Sequence, residues 1–179
     1  MRKALYFLGI LDDSDTEWII RNGKRMRVAP GTVLIEQGKP TEWFYFVMDG
    51  SFAVYTASAP RIAELKVGEV IGEVSFVDSR PPTASVRAQV ESEVGAVPRR
   101  LLAERLQEDV GFAARFYQSI AVFLADRLRT TVGSLGVQKL QLEETVEDAD
   151  EMAPHLLSNI SMAGLRFAEM QRRQWGSSN

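Results

Sequence analysis

The sequence predicts a mainly β domain of antiparallel strands, a sandwich or barrel, with helices at both ends. Three observations carry this expectation. From Met26 to Val97, short runs rich in Val, Ile, Phe, Tyr and Thr recur with a period near two. Turn residues cut them at regular intervals, at Pro30-Gly31, Gly38-Lys39-Pro40, Asp49-Gly50 and Val67-Gly68. No helical stretch separates the runs, which argues against parallel pairing through helical crossovers.

Taken in order, residues 3–23 read as a helix. Its segment LDDSDTEWII carries a start signal: Asp13 or Ser14 can cap, Glu17 follows Ser14 by three as in a capping box, and Gly23 can end the helix. The β region follows as RMRVAPGTVLIEQG, EWFYFVMDGSFAVYTA, RIAELKVGEVIGEVSF and TASVRAQVESEVGAV. Asp49-Gly50, between two apolar runs, predicts a hairpin.

Helical texture returns with RRLLAERLQED and continues through a long stretch. There Phe116, Ile120, Phe123, Leu124, Leu128, Val132, Leu135 and Leu142 recur at helical spacing. Such a helix would reach roughly 50 Å, more than a small domain needs for its own core, and implies a partner helix. Gly133 and Gly136 mark a candidate kink. Residues 143–152 hold six acids in ten and read as a solvated face or hinge. Pro154 then breaks or starts a helix. The closing segment puts Leu156, Ile160, Ala163, Phe167 and Met170 on one face, and the final GSSN reads as a disordered end.

Composition narrows the function. A net charge of −3 gives no global attraction to nucleic acid or anionic membrane. The absence of cysteine excludes disulfides and thiolate zinc sites. The start MRKALYFLGIL has the charge and apolar order of an export signal, but it runs into DDSD without a small-residue cleavage site. No window approaches the ~20 apolar residues of a bilayer span. The expectation is a cytoplasmic protein. The single histidine, His155, has no partner that would make a nucleophile or metal site, and no phosphate-loop or paired-carboxylate spacing occurs, so no enzyme is expected.

One stretch looks built to hold something small: VIGEVSFVDSRPPTASV, residues 70–86. Together with VAPGTVLIEQGKPTEWFYFVMDGSFAVY, the turn glycines Gly31, Gly38 and Gly50, and the order helix, strands, short helix, long helix, it resembles the cyclic-nucleotide-binding domain of the catabolite activator protein family. The resemblance covers roughly residues 5–137. It implies an antiparallel β-roll of the double-stranded β-helix or jelly-roll type, followed by a long helix and one extra helix. The implied division is residues 1–137 as the cyclic-nucleotide-binding-like domain and 138–179 as an acidic segment with a C-terminal helix.

The resemblance also implies a site. The backbone amides of Gly72, Glu73, Val74 and Ser75 would face a cyclic phosphate at the start of a helical turn. Glu73 would accept from the ribose 2′-hydroxyl. Thr83, with Ala84 beside it, would lie against the phosphate, and Thr130 and Thr131 on the long helix would meet the purine. The departure is Pro82, where active members of the family usually carry an arginine paired to the phosphate. Proline has neither charge nor donor. A charge-assisted contact is worth about 1.5–3 kcal/mol, so its loss weakens binding about tenfold to a hundredfold. Arg80 and Arg61 are the candidates to replace it.

Two functions follow. The first is a non-enzymatic regulatory module that senses a cyclic nucleotide, cyclic AMP or cyclic GMP, or a related nucleotide, without a resident cofactor, and signals through the long helix. The second is a degenerate member that no longer binds a nucleotide and acts as a dimerisation or docking scaffold. The long helix predicts a homodimer, and the C-terminal helix a surface for a protein partner. The 42 residues after Val137 show no recognition helix, and Arg172-Arg173 is a small basic patch, so contact with nucleic acid is not expected, nor with membrane.

Overall fold

The computed structural model describes residues 7–134 and 154–176. Two antiparallel sheets face each other. One has the order β1 (Lys24–Val28), β8 (Ser92–Pro98), β3 (Trp43–Asp49), β6 (Val70–Ile71). The other has the order β2 (Val33–Ile35), β7 (Ser85–Ala88), β4 (Ser51–Thr56), β5 (Ala59–Lys66). The helices are α1 (Asp13–Asn22), α2 (Glu73–Val77), α3 (Arg99–Glu108), α4 (Val110–Ser134) and α5 (Pro154–Arg172). This is the expected β-roll with flanking helices, a long helix after the roll and one extra helix. Among the described residues, no helix is long and apolar enough to cross a membrane.

Strand β3 explains why its sequence reads as unbroken apolar residues. Its alternate side chains serve two cores. Tyr45 and Val47 point into the roll with Val28, Ile35, Phe52, Leu65, Ile71, Val86 and Val94. Phe44, Phe46 and Met48 point outward to Phe7, Leu11, Ile19, Leu102, Phe112, Phe116 and Phe123 from the helices. The ring of Phe7 meets those of Phe44, Phe46 and Phe116 at centroid distances of 5.5–6.1 Å. Such aromatic pairs add about 0.5–1.5 kcal/mol beyond the area they bury.

Three local expectations are corrected. The N-terminal helix is broken: residues 7–10 are helical, the chain turns at Leu11-Asp12, and α1 restarts at Asp13. The cap is Asp12, rather than Asp13 or Ser14. It accepts from the Asp15 amide at 2.9 Å, and the Asp15 carboxylate accepts from the Asp12 amide at 3.0 Å. Glu17 instead pairs with Arg21 and Arg173. Asp49-Gly50 is not a hairpin, because β3 and β4 lie in different sheets. It is a corner. Gly50 has φ +81°, and a Cβ there would lie 2.2 Å from the Ser92 hydroxyl, which also binds the Ser51 amide at 3.2 Å. The hairpin is β4–β5, through the TASAP segment.

Helix α5 packs on the roll's own helical side. Ala163 and Met170 are buried, with Phe167 against the same core. Arg166 reaches Asp13 at 2.7 Å and the Leu8 carbonyl at 3.1 Å, and Gln171 donates to the Met48 carbonyl at 2.8 Å. Trp175 closes the seat. Its ring lies over Gly23 and Gly95, where a Cβ would come within 2.6 and 2.2 Å of it, and its indole N–H donates to the Met170 carbonyl at 2.8 Å. Gly23 therefore ends α1 in an extended conformation, φ −96°, and its lack of a side chain serves the tryptophan.

Residues 3–6, Leu135, Gly136, Leu142, the acidic run 143–152 and residues 177–179 lie outside the described residues.

Candidate functional site

Strand β6 ends at Ile71, and Gly72 turns the chain into the single-turn helix α2 with φ +96°. A Cβ at Gly72 would stand 3.2 Å from the Trp43 carbonyl oxygen, so both the dihedral and the space require glycine. Ser75 donates to the Gly72 carbonyl at 3.3 Å. Arg99, the first residue of α3, clamps the turn from behind. Its Nη2 donates to the Ser75 carbonyl at 2.5 Å and its Nη1 to the Ser75 hydroxyl at 3.1 Å, with the guanidinium 5.3 Å from the Phe76 ring centroid.

In front of this turn lies a cavity of about 480 Å³, within the range of small-molecule sites. Gly72, Glu73, Val74, Ser75, Pro82, Thr83 and Ala84 all line it, with Ile35, Val54, Leu65, Ile71 and Val86 as its apolar body. The structure thus brings together every lining residue expected from the roll. Of the two arginines considered as replacements, neither lines the cavity. Arg61 pairs with Glu64 on its own strand at 3.3 Å. Arg80 is exposed beyond Ser79, and its amide binds Asp78. Thr130 and Thr131 belong to α4, but their side chains lie outside the described residues.

The sequence reading missed two residues. Arg127 of α4 lines the cavity, its guanidinium 4.7 Å from the Phe123 ring centroid. Its Nη1 donates to Glu73 Oε1 and its Nη2 to Glu69 Oε2, the latter at 3.3 Å. Both carboxylates are buried, Glu69 at 6% and Glu73 at 3% exposure. Arg127 continues the apolar stripe Phe116, Ile120, Phe123 by four residues, and that spacing was the signal that could have found it. Burial pushes the Glu73 carboxyl above its ordinary value. Arg127 and the backbone N–H groups of Glu73 and Gly72, which face the carboxylate, oppose the rise, while Glu69 adds to it.

Residues 25–109 match the family model described as the cyclic nucleotide-binding domain. The roll belongs to that family. Among curated relatives, the chain is 25% identical over 108 residues to a cAMP-dependent protein kinase regulatory subunit of Mucor circinelloides f. lusitanicus, covering 60% of this chain and 25% of that one. The chain spans about a quarter or less of the length of the curated relatives it matches. Among solved structures, the catabolite activator protein of Thermus thermophilus superposes with a TM-score of 0.57 at 22% identity, over 70% of this chain and 59% of that one. The regulatory subunit of a cAMP-independent protein kinase A from Trypanosoma brucei superposes with a TM-score of 0.58 at 21% identity, over 72% and 44%. This cyclic nucleotide-binding domain therefore shares the fold of activator proteins and kinase regulatory subunits alike.

Proposed function

We propose that this domain is a non-enzymatic sensor of a nucleotide-class small molecule, and that Arg127 links the occupied cavity to the long helix. The observation that carries this reading is the ion pair of Arg127 with Glu73. The carboxylate expected to meet a ribose hydroxyl is the same group that holds α4 against the roll. A ligand that hydrogen-bonds Glu73 changes the grip on Arg127, and so biases the helix. The coupling equals the difference in the ligand's affinity for the two helix positions. The regulatory character of the curated relatives supports the reading. A cytoplasmic location and pairing of α4 with a second copy belong to the same proposal. Leu128, 64% exposed on α4, is a contact such pairing would cover.

Pro82 favours a second reading, a roll that has lost its ligand and serves as a scaffold. The seating of α5 on its own roll tells against the version in which that helix docks a partner, since its buried residues are already covered. The test is isothermal titration of the chain with cyclic AMP and cyclic GMP beside Glu73→Ala and Pro82→Arg. Binding by wild type that is lost in Glu73→Ala supports the sensor. Silence of wild type with recovery in Pro82→Arg means an intact pocket whose natural ligand lacks the phosphate. Silence of both supports the scaffold. For the helix, Leu128→Glu is expected to shift a sedimenting dimer to monomer; a wild-type monomer at tens of micromolar refutes the pairing.

A further inference from the structure

Gly23 alone joins α1 to the first strand, since α1 ends at Asn22 and β1 begins at Lys24. A single glycine between a helix and a strand is a natural pivot. The C-terminal segment locks it. The Trp175 ring covers Gly23, where a Cβ would come within 2.6 Å of it, and the Gly176 amide donates to the Ile20 carbonyl at 3.1 Å. At the far end of α1, Arg166 holds Asp13 and the Leu8 carbonyl, and Arg173 pairs with Glu17 between the two. The same segment is fastened to the sheet. Gln171 donates to the Met48 carbonyl at the end of β3, its own carbonyl accepts from Arg25 of β1 at 2.5 Å, and the Trp175 ring lies 6.4 Å from that of Phe46. Both ends of α1 are thus tied to the roll through α5 and the residues that follow it.

The end of α1 remote from Gly23 also grips the long helix. Arg115 of α4 donates to the buried Asp15 at 2.6 and 2.8 Å and lies 3.0 Å from Asp12. The Trp18 and Phe112 rings meet at 5.7 Å, and those of Phe7 and Phe116 at 5.5 Å. Leaving a buried carboxylate without its partner is costly, so a shift of α4 carries α1 with it. Movement of α4 against the roll then requires α1 to swing about Gly23, and that swing pulls against Trp175 and Arg166. The position held in this way is the one in which Arg127 meets Glu73.

Building on the sensor reading, in which a ligand on Glu73 shifts α4, we infer that α5 is a latch. It holds α1, and through Arg115 the first half of α4, in the position that has Arg127 on Glu73, and so opposes the shift a ligand drives. Loosening the latch populates the shifted helix and raises the apparent affinity for any ligand that selects it. The test uses Gln171→Ala, which frees α5 from β3, and Arg166→Ala, which frees it from α1, each in the whole chain and checked for folding by circular dichroism. Without ligand, hydrogen exchange is expected to quicken about threefold or more in α1 and in Val110–Ile120 of α4. In titration with cyclic AMP, both variants are expected to bind about threefold to fivefold more tightly than their parent, the effect of one hydrogen bond on a minor state. A fold that is merely weakened would bind no more tightly. If wild type is silent, the same comparison is made in the Pro82→Arg background. Unchanged exchange in α1 and α4, or equal or weaker binding by both variants, overturns the latch and leaves the sensor reading standing. Silence toward cyclic AMP in both backgrounds overturns the sensor reading and the latch with it.

Discussion

Replacing Trp175 with alanine tests how the C-terminal segment is held. The indole is 8% exposed and spans two glycines whose absent side chains make its room. A buried Trp→Ala change costs about 3–5 kcal/mol, depending on how far the site can collapse. Here collapse is limited, because Gly23 and Gly95 offer no side chains to move inward. The bond from the indole to the Met170 carbonyl adds about 1 kcal/mol, already contained in that range. The expected loss is about 4 kcal/mol. With a urea m-value near 2 kcal/mol per molar, the midpoint falls by about 2 M. The assay is urea unfolding followed by far-ultraviolet circular dichroism, since tryptophan fluorescence itself changes in the variant. Gly95→Ala alone should cost about 1–3 kcal/mol, because its Cβ would stand 2.2 Å from the ring. In the Trp175→Ala background the new methyl has space, so its cost should fall below about 1 kcal/mol. A midpoint shift under about 0.5 M for Trp175→Ala, or full additivity of the pair, refutes the seating of Trp175 on the roll.

Arg115→Met leaves Asp15, fully buried, without the two bonds of 2.6 and 2.8 Å that it receives from Arg115. Because Arg115 is itself about a third exposed, the loss should be near 3 kcal/mol, at the low end for a broken buried pair, and visible in urea unfolding. Glu73 binds its proton more tightly folded than unfolded, so protonation favours the fold. Stability should fall as pH rises from the unfolded carboxyl value near 4.5 toward the raised folded one, and Glu73→Gln should flatten that slope in thermal melts at pH 4–8. An unchanged slope would remove Glu73 as its source. Gly72→Ala meets both an unfavourable φ of +96° and the Trp43 carbonyl at 3.2 Å. It should lower stability by about 1–3 kcal/mol and abolish any ligand binding seen by titration.

The roll was legible because strand periodicity and turn glycines are local signals, and in β3 every residue from Phe44 to Met48 is buried. The corner at Asp49-Gly50 was misread for the same reason. The dipeptide specifies a left-handed turn, but which sheet the next strand joins is decided by β7 and β8, far along the chain. The cap moved to Asp12 because Asp15 could reciprocate it, and aspartate at that position carries the reach that Ser14 and Glu17 seemed to share. Gly72, Glu73, Val74, Ser75, Pro82, Thr83 and Ala84 were found together because they are close in sequence. Arg127 and Glu69 were not found, since on a helix face or strand end a single charge looks like any solvated one until its partner is in place. Gly23 looked like an ordinary helix end and Gly95 like one more residue of a strand, and nothing local names the tryptophan that needs them.

The pairing of β1 with β8 also governs how the chain must be made. Lys24 lies opposite Ala96 and Val28 opposite Ser92, so the first strand waits roughly seventy residues for its neighbour, a high contact order that slows folding. Val33 waits for Arg87 in the other sheet. During synthesis the nascent chain therefore carries β1 and β2 as unpaired edges, with the outward phenylalanines of β3 uncovered until the helices after Pro98 emerge. Any fragment ending before that point should be a client for chaperones rather than a smaller domain.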